Sequence, residues 1–224
     1  MPIDPGPCAW KFPDPLLAEP DQEVIAIGAD LAPATLLEGY RRGVFPMYLA
    51  SGELAWWSPN PRGILALEDL KISKSLRKSV AQFDVTFDTA FEAVMRGCDE
   101  DRIDSWINED FIQAYTHLHS LGWAHSVEVW REGALVGGLY GLEVGGLFAG
   151  ESMFHRERDA SKVAMVALVR RLQRCGGARL LDVQWRTDHL ATLGVTEIPR
   201  EEYLTRLRDA RRQAACLEAL NRTT

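Results

Sequence analysis

Residues 133–172 read GALVGGLYGLEVGGLFAGESMFHRERDASKVAMVALVRRL and carry the strongest structural pattern in the chain. Two apolar, β-prone runs occupy 136–143 and 147–154. Gly145 and Gly146 lie between them and supply the positive φ angles that a tight turn needs. We therefore predict a β-hairpin over this part of the sequence.

The pattern becomes helical from Asp159 and ends at Gly176, with Asp159 or Ser161 able to cap the first turn. Interior glycines weaken a strand, and the hairpin has four of them, at 137, 138, 141 and 150. They indicate either a twisted, bulged hairpin or the close approach of another backbone or a ligand. A glycine-rich hairpin that runs into a helix N-terminus is well suited to hold a ligand.

Length and composition limit the classes of protein. A chain of 224 residues with 46% hydrophobic residues fits one large domain, or one domain with a smaller companion. The net charge of −7 means that any contact with nucleic acid must come from a local basic patch. No run approaches the roughly 18 apolar residues of a membrane span, and the proline-rich start does not resemble a signal peptide.

The four cysteines are scattered, at 8, 98, 175 and 216, without a CxxC pair or a metal-ligand grouping. This spacing predicts reduced thiols rather than disulfides or metal ligands. Together with the absence of a targeting segment, it leads us to expect a cytoplasmic protein that does not associate with membranes.

The first sixty residues indicate a small unit, with a short strand at 23–28 and a helix at 30–43. The segment 45–62 shows little periodicity, and we predict a proline-rich, rigid loop that concentrates aromatic residues. Such aromatic side chains either pack two domains together or stack on a planar ligand such as a base.

A basic helix is predicted over 70–83, with no acidic residue among its four cations, Lys71, Lys74, Arg77 and Lys78. In an acidic protein this is a local anomaly. A solvated helix face is the usual explanation of such a run, and contact with a phosphate backbone is the sharper one.

A strand is predicted at 179–184, where Asp182 and Gln184 are two residues apart and project from the same face. The two form either a structural hydrogen-bond network or a reactive pair. Helices followed by antiparallel strands, a helix and a further strand indicate an α+β fold with a mixed sheet. The sequence contains no GxSxG, HExxH, Walker or dinucleotide-binding motif.

Long motifs spread over nearly the whole sequence resemble those of the leucyl/phenylalanyl-tRNA–protein transferase family. They are AIGADLAPATLLEGYRRGVFPMY, WWSPNPR, SWI, YTHLHSLGWAHSVEVW, GGLYGLEVGGLFAGESMFHRERDASK and LLDVQ with HLATLGVTEIPR. The resemblance implies a small N-terminal α/β domain over residues 1–60. It implies a GNAT-like N-acyltransferase domain over residues 61–224.

The same resemblance implies an aminoacyltransferase that acts as a monomer. It would move leucine, phenylalanine or methionine from aminoacyl-tRNA to the α-amine of proteins that begin with Arg or Lys, and so mark them for degradation. An aminoacyl ester is already activated, so this chemistry needs no ATP, metal or other cofactor.

Site residues also follow from the resemblance. Gln184 would accept a hydrogen bond from the attacking amine, and Asp182 would orient the Gln184 amide. Glu151 would bind the cationic acceptor or fix its amine. The pocket for the transferred side chain would be lined by Phe148, Gly150, Met153, Met165, Leu168 and Leu181. The proton could pass along the Asp182–Gln184 pair or to the ribose hydroxyl of the donor.

Trp106 and Tyr40 would flank the terminal adenosine, and the four cations of the basic helix would meet acceptor-stem phosphates. The family commonly has Trp in its FPW motif, where this chain has Met47, so stacking could shift to Trp106 or Tyr48. Three other classes would leave different patterns in the sequence. A non-catalytic RNA-binding protein would need the basic helix face but not the buried Asp182–Gln184 pair. An acetyl-CoA-dependent enzyme would need a pyrophosphate loop that MFHRERDASK does not supply, and a cell-wall ligase would share the donor but not the acceptor.

Overall fold

Over residues 1–100 and 106–217, which the computed structural model describes, the chain forms two β-sheets. The smaller sheet has the order β1-β3-β2 and is antiparallel. Its elements are β1 (Val24–Ile27), α1 (Pro33–Arg42), β2 (Phe45–Tyr48) and β3 (Leu54–Trp57). The predicted strand and helix of this region are therefore confirmed.

The predicted loop at 45–62 is wrong, because β2 and β3 form an antiparallel hairpin there. Pro46 hid this strand, since proline cannot donate to a sheet ladder and is tolerated only at an edge. β2 is such an edge strand. Trp56 on β3 is buried against Gly39 of α1, where an added Cβ atom would lie 2.5 Å from the indole ring.

The larger sheet has seven strands in the order β10-β4-β9-β8-β7-β6-β5. Its strands are β4 (Arg62–Leu65), β5 (Asp84–Phe87), β6 (Ala124–Arg131), β7 (Ala134–Val144), β8 (Leu147–His155), β9 (Leu180–Gln184) and β10 (Thr196–Ile198). Among the strands of the described residues, β8 and β9 are the one parallel pair, so the sheet is mixed and the predicted α+β class is confirmed.

Helices cover both faces of this sheet and connect its strands. They are α2 (Lys74–Val80), α3 (Phe91–Glu100), α4 (Glu109–Ser120), α5 (Ala160–Cys175), α6 (Asp188–Ala191) and α7 (Arg200–Ala210). Short 3₁₀ turns lie at Pro15–Leu17 and Leu67–Asp69. Among the described residues, no helix combines the length and apolar character that crossing a bilayer requires.

The predicted hairpin and its following helix are confirmed as β7, β8 and α5. Three of the hairpin glycines allow protein atoms to approach closely. A Cβ atom on Gly137 would meet Ala160, and one on Gly138 or Gly141 would meet a carbonyl of a neighbouring strand. Gly150 differs, because its nearest such neighbour is 3.5 Å away. Close packing therefore explains three of the glycines, and Gly150 is left for another role.

The basic helix is shorter than predicted. α2 begins only at Lys74, because the Ser73 hydroxyl accepts a hydrogen bond from the Leu76 N–H and caps the helix. Lys71 precedes the helix, and its N–H donates to the Leu193 carbonyl at 2.9 Å.

The prediction that all four cysteines are free thiols is wrong. Cys175, at the end of α5, forms a disulfide with Cys216, in the tail that follows α7, and their Cα atoms are 6.0 Å apart. Cys8 is partly exposed, and Cys98 is buried. Sequence spacing did not reveal the pair, because the tail returns to α5 only through the packing of α7.

Candidate active site

The parallel ladder between β8 and β9 ends after Ala149 and Asp182. Beyond this point the two strands no longer pair, and a cavity of about 380 Å³ opens between them. Predicted pocket residues in its walls are Gly150, Met153, Met165, Leu168 and Leu181. Their contact with a substrate side chain stays a prediction.

Phe148 is the exception among the predicted pocket residues. It is 1% exposed and lies in the core, with its ring beneath the positions of Gly141 and Gly150. It supports the wall of the cleft rather than forming it. Val183 forms the wall instead, and strand alternation could have revealed it, since it lies two residues from Leu181.

The prediction placed the Asp182 carboxylate against the side-chain amide of Gln184. In the structure it contacts the backbone N–H of Gln184 instead. This carboxylate is fully buried and accepts hydrogen bonds from Arg62 Nε at 2.8 Å, Arg62 Nη2 at 2.7 Å and the Tyr203 hydroxyl at 2.8 Å. It also accepts the Gln184 N–H at 3.0 Å. Asp182 is therefore a positioning residue, because its carboxylate is already paired with Arg62 and accepts hydrogen bonds from groups within the protein.

Arg62 was not recognised in the sequence, although it is a lone cation at the start of the apolar strand β4. It is 1% exposed, and its guanidinium lies over the Tyr203 ring at 4.3 Å. Burial by itself would lower the pKa of Arg62, but the charge of Asp182 holds it above its ordinary value.

Gln184 adopts a left-handed backbone conformation, with φ of 58°. Such a conformation costs a residue with a side chain on the order of 1–3 kcal/mol, and surrounding structure must hold it. Its amide Nε2 lies 3.5 Å from Glu151 Oε1, at the floor of the cleft. In this orientation the amide oxygen is the acceptor that Gln184 offers to a substrate.

Glu151 is the extra residue of a β-bulge, because Tyr140 pairs with Ser152 and Gly141 with Gly150. The bulge turns its carboxyl group into the cleft beside Gln184. Burial raises the pKa of Glu151 to about 8, and the charge of Asp182 adds to this effect. Hydrogen bonds from tyrosine hydroxyls and the charge of Arg62 oppose it.

Tyr40 is part of the hydrogen-bond network of the Glu151 carboxyl group rather than of an adenosine site. It is 1% exposed, and its hydroxyl lies 2.5 Å from that of Tyr115, which donates to Glu151 Oε2 at 3.4 Å. A ring buried in this way cannot stack on a base, so the predicted role of Tyr40 is corrected. Trp106 and Met47 do line the cleft.

Comparison with known proteins identifies the family. The model of the leucyl/phenylalanyl-tRNA protein transferase family matches residues 64–208, and the model of its N-terminal domain matches residues 29–60. The chain belongs to the leucyl/phenylalanyl-tRNA protein transferase family.

Full-length relatives in this transferase family cover most of the chain. The leucyl/phenylalanyl-tRNA–protein transferase of Tolumonas auensis is 48% identical over 92% of this chain and 89% of its own length. That of Citrobacter koseri is 46% identical over 92% and 88%. The predicted family is therefore confirmed.

A GCN5-related N-acetyltransferase from Kribbella flavida is among the solved structures that the transferase chain resembles. The alignment covers 62% of this chain and 55% of that one, with 13% identity and a TM-score of 0.40. The GNAT-like character of the larger domain stays a prediction. The predicted boundary between residues 60 and 61 stays a prediction, because the main hydrophobic core takes residues from both sides.

The four predicted tRNA-binding cations of this family member are all exposed. Lys74, Arg77 and Lys78 lie on α2, and Lys71 lies just before it. The Ser79 hydroxyl, near the end of α2, donates to Asp159 Oδ2 at 2.8 Å. α2 is thereby fixed against the start of α5, which forms one wall of the cleft.

Proposed function

We propose that the chain transfers leucine, phenylalanine or methionine from aminoacyl-tRNA to the α-amine of a protein that begins with Arg or Lys. The observation that carries this is the placement of Glu151 and Gln184 together at the floor of an apolar cleft, in a member of this family. The product is a peptide bond and a bulky N-terminus that marks the acceptor for degradation.

The apolar wall of the cleft receives the transferred side chain. Met153 and Met165 both lie in it, and methionine adapts its shape to different ligands. Such a wall accepts leucine, phenylalanine and methionine alike, since one methylene group changes binding by only about 1–3 kcal/mol. Charged and short polar side chains gain little there.

Trp106 and Met47 contact the terminal adenosine of the donor at the cleft. Trp106 packs edge-on against Phe111, which fixes its ring, and remains partly exposed. A ring held in this way can stack on a base at a small cost in conformational entropy.

The reaction is aminolysis of an ester. The neutral α-amine of the acceptor attacks the ester carbonyl, a C–N bond forms, and the C–O bond to the ribose breaks. The amine has an ordinary pKa of about 7.7–8.0, so a strong base is not required. Gln184 accepts a hydrogen bond from the amine, and ionised Glu151 takes its proton. The ribose oxygen gains this proton from Glu151 as it leaves, so Glu151 is ionised again at the end of the reaction.

Arg62, Asp182 and Tyr203 act behind this pair as positioning residues. The four cations at and before α2 contact phosphates of the acceptor stem, which lies outside the cleft. The chain acts as a monomer in the cytoplasm, and its reaction uses no ATP, metal or acetyl-CoA.

A transfer assay tests this function directly. Purified protein is mixed with radiolabelled Phe-tRNA and two otherwise identical proteins, one beginning with Arg and the other with Asp. We expect label on the Arg protein only, in the presence of EDTA and without ATP. Equal labelling of both proteins, or loss of transfer in EDTA, would refute the proposal.

A further inference from the structure

A second group of polar side chains lies at the mouth of the cleft. His155 ends β8, His189 lies in α6, and both line the cavity. Their rings are parallel, with 6° between the planes and 6.3 Å between the centroids. Lys162, in the first turn of α5, donates from Nζ to Thr192 Oγ1 at 2.9 Å. We call His155, Lys162 and His189 the rim cluster.

The electrostatic environment of His189 in the rim cluster favours negative charge. Burial lowers the pKa of His189, and the positive charges of Lys162 and His155 lower it further, against the opposite effect of Asp159. An anion between these side chains would be stabilised by the same charges that repel a proton from His189.

The rim cluster is also close to α2 and the segment before it. The N–H of Lys71 is bonded to the carbonyl of Leu193, next to Thr192, and so joins the segment before α2 to the segment after α6. Ser79 and Asp159 join the other end of α2 to the start of α5. α2 and the rim cluster therefore contact the same two segments, at the start of α5 and after α6.

We propose that the rim cluster binds the phosphodiester that joins the terminal adenosine of the donor to the preceding nucleotide. This inference rests on the proposed function, because it assumes that the terminal adenosine enters the cleft. A strand that reaches the cleft from α2 must pass the rim, and each of its nucleotides carries a negative charge. The Lys162 ammonium has three N–H donors, so it can bind Thr192 and a phosphate together. A neutral imidazole of the rim cluster can still donate one N–H hydrogen bond to a phosphate oxygen.

Two small donors that differ by one phosphate test the subsite. They are 3′-O-phenylalanyl-adenosine and the same compound with a 5′-phosphate, each assayed for transfer to an Arg-initiated peptide. In the wild type we expect the phosphorylated donor to have the lower KM. The double variant Lys162→Gln, His189→Gln should raise that KM about tenfold and leave the KM of the other donor unchanged. The control Arg158→Gln removes an 88% exposed cation and should change neither.

Equal KM values for the two donors in the wild type would overturn the subsite. So would an equal rise for both donors in the double variant, because the rim would then act on the adenosine or the amino acid. If the double variant melts at a lower temperature, inhibition of transfer by the wild type is measured instead. We expect 5′-AMP to inhibit more strongly than adenosine, and equal inhibition would overturn the subsite. Failure of the wild type to use Phe-tRNA would refute the proposed function itself, so the two failures are distinct.

Discussion

Arg62 on β4 and Asp182 on β9 hold each other by two hydrogen bonds, although 120 residues separate them in the sequence. Both side chains are at most 1% exposed. Asp182 also accepts the backbone N–H of Gln184 at 3.0 Å, so the ion pair holds the reactive strand end in its left-handed conformation.

Removing one charge of this pair should therefore damage stability and activity together. Asp182→Asn leaves Arg62 buried and uncompensated, and we expect the free energy of unfolding to fall by about 3–5 kcal/mol in urea denaturation. The control Asp209→Asn removes an exposed carboxylate with a surface partner, and should cost less than about 1 kcal/mol. Similar losses in the two variants would contradict the role assigned to the buried pair.

Gln184 allows stability and catalysis to be separated. Gln184→Ala should lower single-turnover transfer by about 10²–10³-fold with saturating Phe-tRNA, the usual cost of one preorganised polar contact. Gln184→Gly should be equally inactive but more stable than Gln184→Ala, because glycine adopts positive φ without strain. A Gln184→Ala rate within about threefold of the wild type would refute the catalytic role.

The pH dependence of transfer should report Glu151. Because the pKa of this carboxyl group is about 8, its ionised form increases as pH rises through 8. Well below pH 8 and with acceptor below saturation, single-turnover rates should then rise about a hundredfold per pH unit, about tenfold from Glu151 and about tenfold from the acceptor amine. The acceptor amine titrates in the same range, so Glu151→Gln serves as the control and should retain only the amine's part of the profile. An unchanged profile in Glu151→Gln would exclude Glu151 as the base.

Tyr115 should tune that profile without touching substrate. Its hydroxyl donates to Glu151 and favours the charged form, so Tyr115→Phe should raise the pKa of Glu151 and move the profile to higher pH. A profile that does not move would contradict this role of Tyr115.

The raised pKa of Glu151 should make the protein less stable as pH rises, whereas the transfer rate increases. A carboxyl group whose pKa is raised on folding stabilises the fold below its unfolded pKa of about 4.5 and loses this contribution as pH rises through 8. Glu151→Gln should therefore flatten the decrease of the unfolding free energy between these values, and an unaltered decrease would contradict the assignment.

The cations of α2 should act on tRNA alone. Lys74→Glu with Arg77→Glu should weaken tRNA binding and reduce its salt dependence, since fewer counterions are released. Phenylalanyl-adenosine, which lacks the acceptor stem, should be used at nearly the wild-type rate. Arg208→Glu, which changes a cation on α7, is the control. Unchanged tRNA affinity in the double variant would show that α2 is only a solvated face.

Local sequence determined much of the fold. Gly145 and Gly146 define the β7–β8 turn, and Gly176 ends α5, because turns and helix ends depend on the backbone preferences of a few adjacent residues. The predicted cap of α5 is wrong, because Asp159 makes no side-chain capping hydrogen bond and Ser161 lies within the helix. The family motifs likewise identified Glu151 and Gln184 as candidate reactive residues.

Tertiary structure decided how those residues are held. β2 is stabilised by its pairing with β3, which also pairs with β1, and the sequence around Pro46 does not show this pairing. Contacts between distant segments pair Arg62 with Asp182. They also bring Tyr40 into the hydrogen-bond network of Glu151, through Tyr115, rather than into an adenosine site. Sequence periodicity reports which face of an element is apolar. Which buried polar groups meet depends on the packing of the whole chain, since only that packing removes them from water and makes each partner necessary.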